Sequence, residues 1–494
     1  MDPRKTPMLS KSRYLSGLQC PLRLWHQYYN PELATAISPA QQAIFETGQE
    51  VGKLATSLYP GGTLVEEDHL HHTAAEQATM AAVADPSVRA IFEAAFSHDG
   101  VRIRADILER LRNGGWNLIE VKSASSVKDV YLTDVAVQFY VIRGSGLTVS
   151  RAGILHLNNK YLYDGDQLQL ERLYSFSDLT EEALLLQQEF PSKVAELREM
   201  LSKANPPQVL PSRHCMSPYE CQFWKHCTAE MPEFWIMGLT GIREERLHDL
   251  AALGVEDIRD IPNHFPLTEL QERIRTCVIT REEYIAPELD DELTDVEYPI
   301  HFLDFETVSP AIPRYPKTRP YQVIPFQWSD HSLSENGELA HSSFLFKEDA
   351  DPRQDFAATL LEALGDRGTI FTYSSYENRV VGELARHMPQ HSDMLLATLD
   401  RFKDMQTLIK RYFYNHGFHG SFSLKSVLPA LVPNMSYDGL VVQEGTHASQ
   451  EYLRMIDPET LLEEKEEIEE VLLAYCNHDT LAMVKIREQL LRRF

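Results

Sequence analysis

Apolar and polar positions alternate with period two through residues 101–108 and 116–121, the pattern of half-buried strands, and Asn113-Gly114-Gly115 between them reads as a turn. Residues 298–307, Tyr-Pro-Ile-His-Phe-Leu-Asp-Phe-Glu-Thr, are largely apolar on both alternating faces, as in a central strand of a covered sheet. Residues 471–484 change to helical spacing, which sets Tyr475 and Asp479 four apart on one face. Residues 231–285 read as a small helical connector, with apolar-Gly-apolar turns at Leu239-Thr240-Gly241-Ile242 and Leu253-Gly254-Val255. The acidic, proline-flanked residues 286–297 read as a linker. The pattern predicts an α/β protein with a first domain over 1–230, the connector, the linker and a last domain over 298–494.

Length agrees with this division, since 494 residues at about 150 per domain suggest about three folding units. With 43% hydrophobic and 24% charged residues the composition is that of an ordinary soluble protein. No apolar stretch approaches the roughly 20 residues of a membrane span. The start, Met1-Asp2-Pro3-Arg4-Lys5, leads into no apolar signal core, so a cytoplasmic protein with no membrane partner is expected. A formal net charge of -26 repels polyanions over the whole surface. Much of it lies in runs at 288–297 and 463–470. Beyond about 8–10 Å such charge is screened, so local basic groups and bound cations decide what binds.

Two constellations of acids change the picture. Strand alternation puts Glu120 and Lys122 on one face beside Asp106. Asp106 and Glu120 are candidate ligands for Mg2+ or Mn2+, and Lys122 can orient an attacking water or neutralise charge on a reacting phosphate. A surface ion pair on an edge strand is the bland alternative. Asp304 and Glu306 share one face of the apolar strand, where two buried like charges are costly unless a cation compensates them. Tyr475 on its helix can reach the same centre as Asp479.

The order Asp106, Glu120-Val121-Lys122, Gln138-Phe139-Tyr140 resembles the PD-(D/E)XK superfamily, and within it the RecB-type nucleases. That resemblance implies a restriction-endonuclease-like domain in which Gln138 helps shape the metal and phosphate site. It also implies a His or Glu from an upstream helix; there is no histidine there, and Glu50, or less favourably Glu46, stands in its place. Cys20 with Cys215, Cys221 and Cys227 resembles the iron-sulfur branch of that group, which includes AddB and CRISPR-associated exonucleases. The implied cofactor is a 4Fe-4S cluster on four thiolates. The Cx5Cx5C spacing departs from the CxxCx5C commonest there. Zinc is the alternative, although its structural sites usually present CxxC knuckles. Cys277 and Cys476 read as ordinary core cysteines.

Asp304, Glu306, Tyr475 and Asp479 resemble the RNase H-like DnaQ-type 3'-5' exonucleases of the DEDD group. There, four acids hold two metals and the tyrosine positions the nucleophilic water. The family's second motif corresponds to Thr372-Tyr373-Ser374-Ser375-Tyr376-Glu377, so Glu377 replaces an aspartate, with Asp404 the alternative ligand. Residues 231–285 resemble helix-hairpin-helix modules, with a plain helical spacer as the equal alternative. Taken together the chain resembles a prokaryotic group that fuses both nucleases. The implied function is metal-dependent hydrolysis of DNA, at single strands or ends and 3'-5' in the last domain, in repair or defence. A nucleic-acid-binding scaffold with one or both sites inactive, and an RNA-processing exonuclease, are the alternatives.

Overall fold

Alternating apolar positions close into two separate sheets. The computed structural model describes residues 8–67 and 70–494; the start on which the expectation of no signal peptide rests, residues 1–7, lies outside them. The chain divides into one unit made of residues 1–230 and 310–322 and another made of 231–309 and 323–494. The fold is mixed α/β, and among the described residues no helix is long and apolar enough to cross a membrane.

In the first unit, β1 (Leu9–Ser10), β2 (Thr63–Leu64), β3 (Ala90–His98), β4 (Val101–Arg110), β5 (Trp116–Lys122), β6 (Val149–Leu157) and β7 (Tyr174–Asp178) form one sheet. Its spatial order is β2-β3-β4-β5-β6-β7, with β1 parallel to the start of β4. The β4–β5 turn uses Gly114 at φ 84°, a left-handed position that glycine adopts without strain. β5 and β6 are parallel and therefore need a crossover, which the helix Asp129–Gly144 supplies. Val135, Phe139 and Ile142 of that helix are buried with Ile103, Leu118 and Ile154 in one core.

The antiparallel β4–β5 ladder ends at Ile107–Ile119, one position before Asp106 would face Glu120. The Asp106 carboxylate instead accepts the Val121 N–H at 2.7 Å, so a side chain replaces a main-chain acceptor where the strands part.

In the second unit, β8 (Tyr284–Ile285) pairs with the later strand β14 (Phe413–Tyr414). The main sheet contains β9 (Ile300–Val308), β10 (Ile324–Leu333), β11 (Leu339–Leu345), β12 (Ile370–Thr372) and β13 (Phe402–Asp404), in the order β11-β10-β9-β12-β13. β10 runs antiparallel to both β9 and β11, whereas β12 and β13 run parallel to β9. Leu303 and Phe305 of β9 enter a core with Phe356 and Val380 from the helices Arg353–Leu364 and Tyr376–His387. By alternation Asp304 and Glu306 face the opposite side, which the helix Leu462–Leu491 covers.

Two domain expectations require correction. Residues 286–297 are not an extended linker, because Glu288–Thr294 is a helix whose Leu289 and Leu293 are fully buried. The acids occupy the other faces, and Lys403 donates to the Glu292 and Asp295 carbonyls at 3.0 and 2.8 Å. Charge density concealed an i,i+4 apolar pair. Residues 310–322, expected within the last domain, belong to the first unit. Ala311 is buried among Val51, Ala55 and Ile107, and the Lys317 N–H donates to the Tyr163 carbonyl at 2.7 Å. Pro310, Pro313, Pro316 and Pro320 keep this segment out of the β9–β10 ladder. The 231–285 helices, Glu244–Ala252 and Glu269–Thr280, lie in the second unit.

Candidate metal centres

Where β4 and β5 part, Glu120 is buried and both its oxygens are engaged. Lys11 and Lys122 donate to Oε1 at 2.8 and 2.7 Å, and Gln138 Nε2 donates to Oε2 at 2.6 Å. The same ammoniums reach Asp134, Lys11 at 3.1 Å to Oδ1 and Lys122 at 2.5 Å to Oδ2. Burial alone would raise the Glu120 carboxyl, but the two ammoniums hold it well below the usual range. Asp106, desolvated and beside ionised Glu120, is instead pushed up to about 8. The pair therefore shares its burden unequally: the ammoniums favour charge on Glu120, and burial beside that charge favours the protonated form of Asp106.

The cluster brings Asp106, Glu120, Lys122 and Gln138 together, and Gln138 retains a buried carbonyl oxygen without a partner. It does not include the expected upstream acid. Glu50 is exposed, and Glu46 is bonded to Gln42 at 2.9 Å. Their helix Pro39–Thr56 buries Val51 and Ala55, which leaves Glu50 one residue off the packed face. The upstream contribution comes from Lys11. Asp134, also not anticipated, precedes Gln138 by four residues on one helix and so shares its face.

The second centre has the opposite electrostatics. Asp304 and Glu306 from β9 and Asp479 from the C-terminal helix place carboxylate oxygens within 4.8 Å of one another. Glu377, in the first turn of the helix Tyr376–His387, is buried with Oε2 unpartnered. Burial and then mutual repulsion raise Asp304 and Glu306 well above the carboxylate range; burial, with the charges of Asp404 and Asp479, raises Glu377 to about 8, and burial raises Asp479 to about 6 against the Tyr437 and Tyr475 hydroxyls and the Lys425 charge. Lys425 is the cation whose charge reaches Glu306 and Asp479. Oxygen donors this close, buried and short of positive charge suit a hard divalent cation.

Asp404, the alternative fourth ligand, is otherwise employed. It caps the helix Met405–Tyr412, accepting from Thr407 N at 3.0 Å and Thr407 Oγ1 at 2.7 Å. Two tyrosines meet Asp479: Tyr475 one helical turn away, as the spacing predicts, and Tyr437, whose hydroxyl donates to Asp479 Oδ1. Tyr437 lay beyond sequence reasoning because it is on an irregular segment 42 residues upstream of its partner. Cys476 is more than core filling, since its thiol lies 3.4 Å from Asp304 Oδ2. Cys277 is buried near the Tyr414 carbonyl.

Cys20, Cys215, Cys221 and Cys227 come together from the two ends of the first unit as free thiols. Burial, then Cys221, Cys20 and Cys215, push the Cys227 thiol up to about 11. Cys215, Cys221 and Phe223 pack in one small core with Cys227 against it.

Comparison with known proteins adds one domain. A family model described as "Domain of unknown function (DUF2779)" matches residues 301–423, a stretch that holds Asp304, Glu306, Glu377 and Asp404 and ends before Tyr437, Tyr475 and Asp479. No curated protein matches the chain. A solved structure described as "Crystal structure of SSO0001" aligns at 14% identity over 46% of this chain and 89% of that one, with a TM-score of 0.24. The matched stretch begins in β9 and includes the helix carrying Glu377.

Proposed function

We propose that the protein is a metal-dependent nuclease acting on DNA, with a RecB-like site in the first unit and a DEDD-like site in the second. The observation that carries this reading is the acidic group of half-buried Asp304 with buried Glu306 and Asp479, backed by buried Glu377. Four largely buried carboxylates, with the Lys425 charge reaching only Glu306 and Asp479, are costly in an apolar setting and become favourable around divalent cations.

In the second site these four acids would hold the cations, which when bound supply a Lewis acid and an activated water. The Tyr475 and Tyr437 hydroxyls both bond Asp479, and Tyr475 would hold the attacking water there. In the first site Asp106 and Glu120 would hold a cation, while Lys122 presents an ammonium to the phosphate. The four cysteines, brought together from the two ends of the first unit, would hold a 4Fe-4S cluster in a structural role.

End-labelled single- and double-stranded DNA and RNA, incubated with purified protein and Mn2+ or Mg2+ against EDTA, test the reading. DNA shortened from its 3' ends only with metal is the expected result, and Asp479→Ala should stop that activity. With the second site disabled, remaining cleavage should require Lys122. Preference for RNA would redirect the substrate.

A second reading, a nucleic-acid-binding scaffold whose first site is inactive, is favoured by the saturation of both Glu120 oxygens. Binding without cleavage by the double variant Asp304→Ala/Asp479→Ala would establish it.

A further inference from the structure

Lys11 is an unusual residue for its place. It is the first residue of the helix Lys11–Gln19, where unpaired N–H groups give the helix its positive end and disfavour an ammonium. The Ser10 cap accepts the Arg13 N–H at 3.2 Å, so the helix start is well formed and does not need the lysine. Yet the Lys11 side chain is largely covered and turns to Glu120 and Asp134 across 109 and 123 residues of sequence. The acids hold it there against both burial and the helix.

A cation that joins Asp106 to Glu120 must take a Glu120 oxygen. Oε2 is held by Gln138, and Oε1 is shared by the two ammoniums. Lys122 is the more firmly tied: it is two residues from Glu120 on β5 and makes the shorter contacts, 2.7 and 2.5 Å against 2.8 and 3.1 Å for Lys11. Lys11 is therefore the group that can leave, and the helix terminus lowers the cost of its leaving.

We infer that Lys11 is a built-in counter-ion of the first site, whose ammonium holds the place of a divalent cation on Glu120 and gives it up when the cation binds. The inference rests on the metal-site reading of the first unit. It gives Lys11 a role that the restriction-endonuclease-like resemblance does not supply: it keeps the acids compensated in the absence of metal and sets how much metal is needed to load the site. Entry of the cation leaves a free ammonium beside the phosphate-binding face.

The test uses full-length protein with Asp304→Ala and Asp479→Ala, so that Mn2+ reports on the first unit. Removing the competitor with Lys11→Met should tighten Mn2+ binding by about tenfold in calorimetry, whereas Lys11→Arg, which keeps the charge, should stay near the parent. Folding of each variant is checked by circular dichroism. Unchanged or weaker Mn2+ binding by folded Lys11→Met overturns the inference. A second measurement needs no change at Lys11: amine labelling read by mass spectrometry should show Lys11 becoming several-fold more reactive when Mn2+ is added. Constant or falling reactivity, with Mn2+ bound, also overturns it. If none of these proteins takes up Mn2+, the metal-site reading of the first unit falls and takes this inference with it.

Discussion

Individual residues show two opposite ways of burying acids. At Glu120 two lysines supply the counter-charge, while at Asp304, Glu306, Glu377 and Asp479 burial favours the protonated carboxyls. Glu377 at about 8 and Asp479 at about 6 lie above their ordinary values of 4.5 and 3.8. The folded state therefore binds more protons than the unfolded one between these limits, and the metal-free protein should lose stability as pH rises from about 4 to about 8. In EDTA the second unit should melt lower at pH 8 than at pH 5, and Mn2+ at pH 8 should restore it. Calorimetry at pH 7 in buffers of different ionisation enthalpy should also show protons released as Mn2+ binds; no release would mean that the acids are already ionised. Glu377 and Asp404 should separate by role. Glu377→Ala should weaken Mn2+ binding, whereas Asp404→Ala should spare it and cost about 1 kcal/mol in chemical unfolding, the usual loss for a helix cap. Local arithmetic made much of the second site legible, since period two joins Asp304 to Glu306 and a helical turn joins Tyr475 to Asp479. It could not reach Lys11, Lys425 or Tyr437, whose contacts span long intervals. Asp134 was within its reach, one turn before Gln138 on the same helix.

Elements explain why the first site opens where it does. The β4–β5 ladder stops at Ile107–Ile119, and the next facing pair, Asp106 and Glu120, spreads around a cluster of cations. Alternation in sequence identifies the strands and the face of Glu120, but the end of a ladder is a pairing event that neither strand encodes alone. The helix Glu288–Thr294 gives the converse lesson, because acidic side chains concealed a packed element. Leu289→Ala and Leu293→Ala should each cost about 2–5 kcal/mol in denaturant unfolding of the second unit, as for other buried leucines. A flexible linker would tolerate either change within about 0.5 kcal/mol, and such tolerance would remove this helix from the core.

For the molecule as a whole, distant parts of the chain complete the first unit twice, through the cysteines and through residues 310–322. Anaerobically purified protein should be brown and contain iron and sulfide, and Cys20→Ser should lower its melting temperature far more than Cys277→Ser. Stoichiometric zinc without iron, or equal melting, would end the cluster assignment. The α/β class was visible in the change from one run of strands to another. The return of residues 310–322 was not, because prolines in a loop carry no address. Replacing residues 310–322 by a short Asn-Gly turn should destabilise the first unit and leave Mn2+ binding by the second intact, read by limited proteolysis and calorimetry. That return also has a consequence for synthesis. A ribosome that has made 230 residues has released most of the first unit, but not the Ala311 that belongs in its core. The core can close only after a further stretch has emerged, and that stretch includes β9. Any product broken off before residue 310 leaves the first unit unfinished, so a completed first unit always comes with the strand bearing Asp304 and Glu306 already attached.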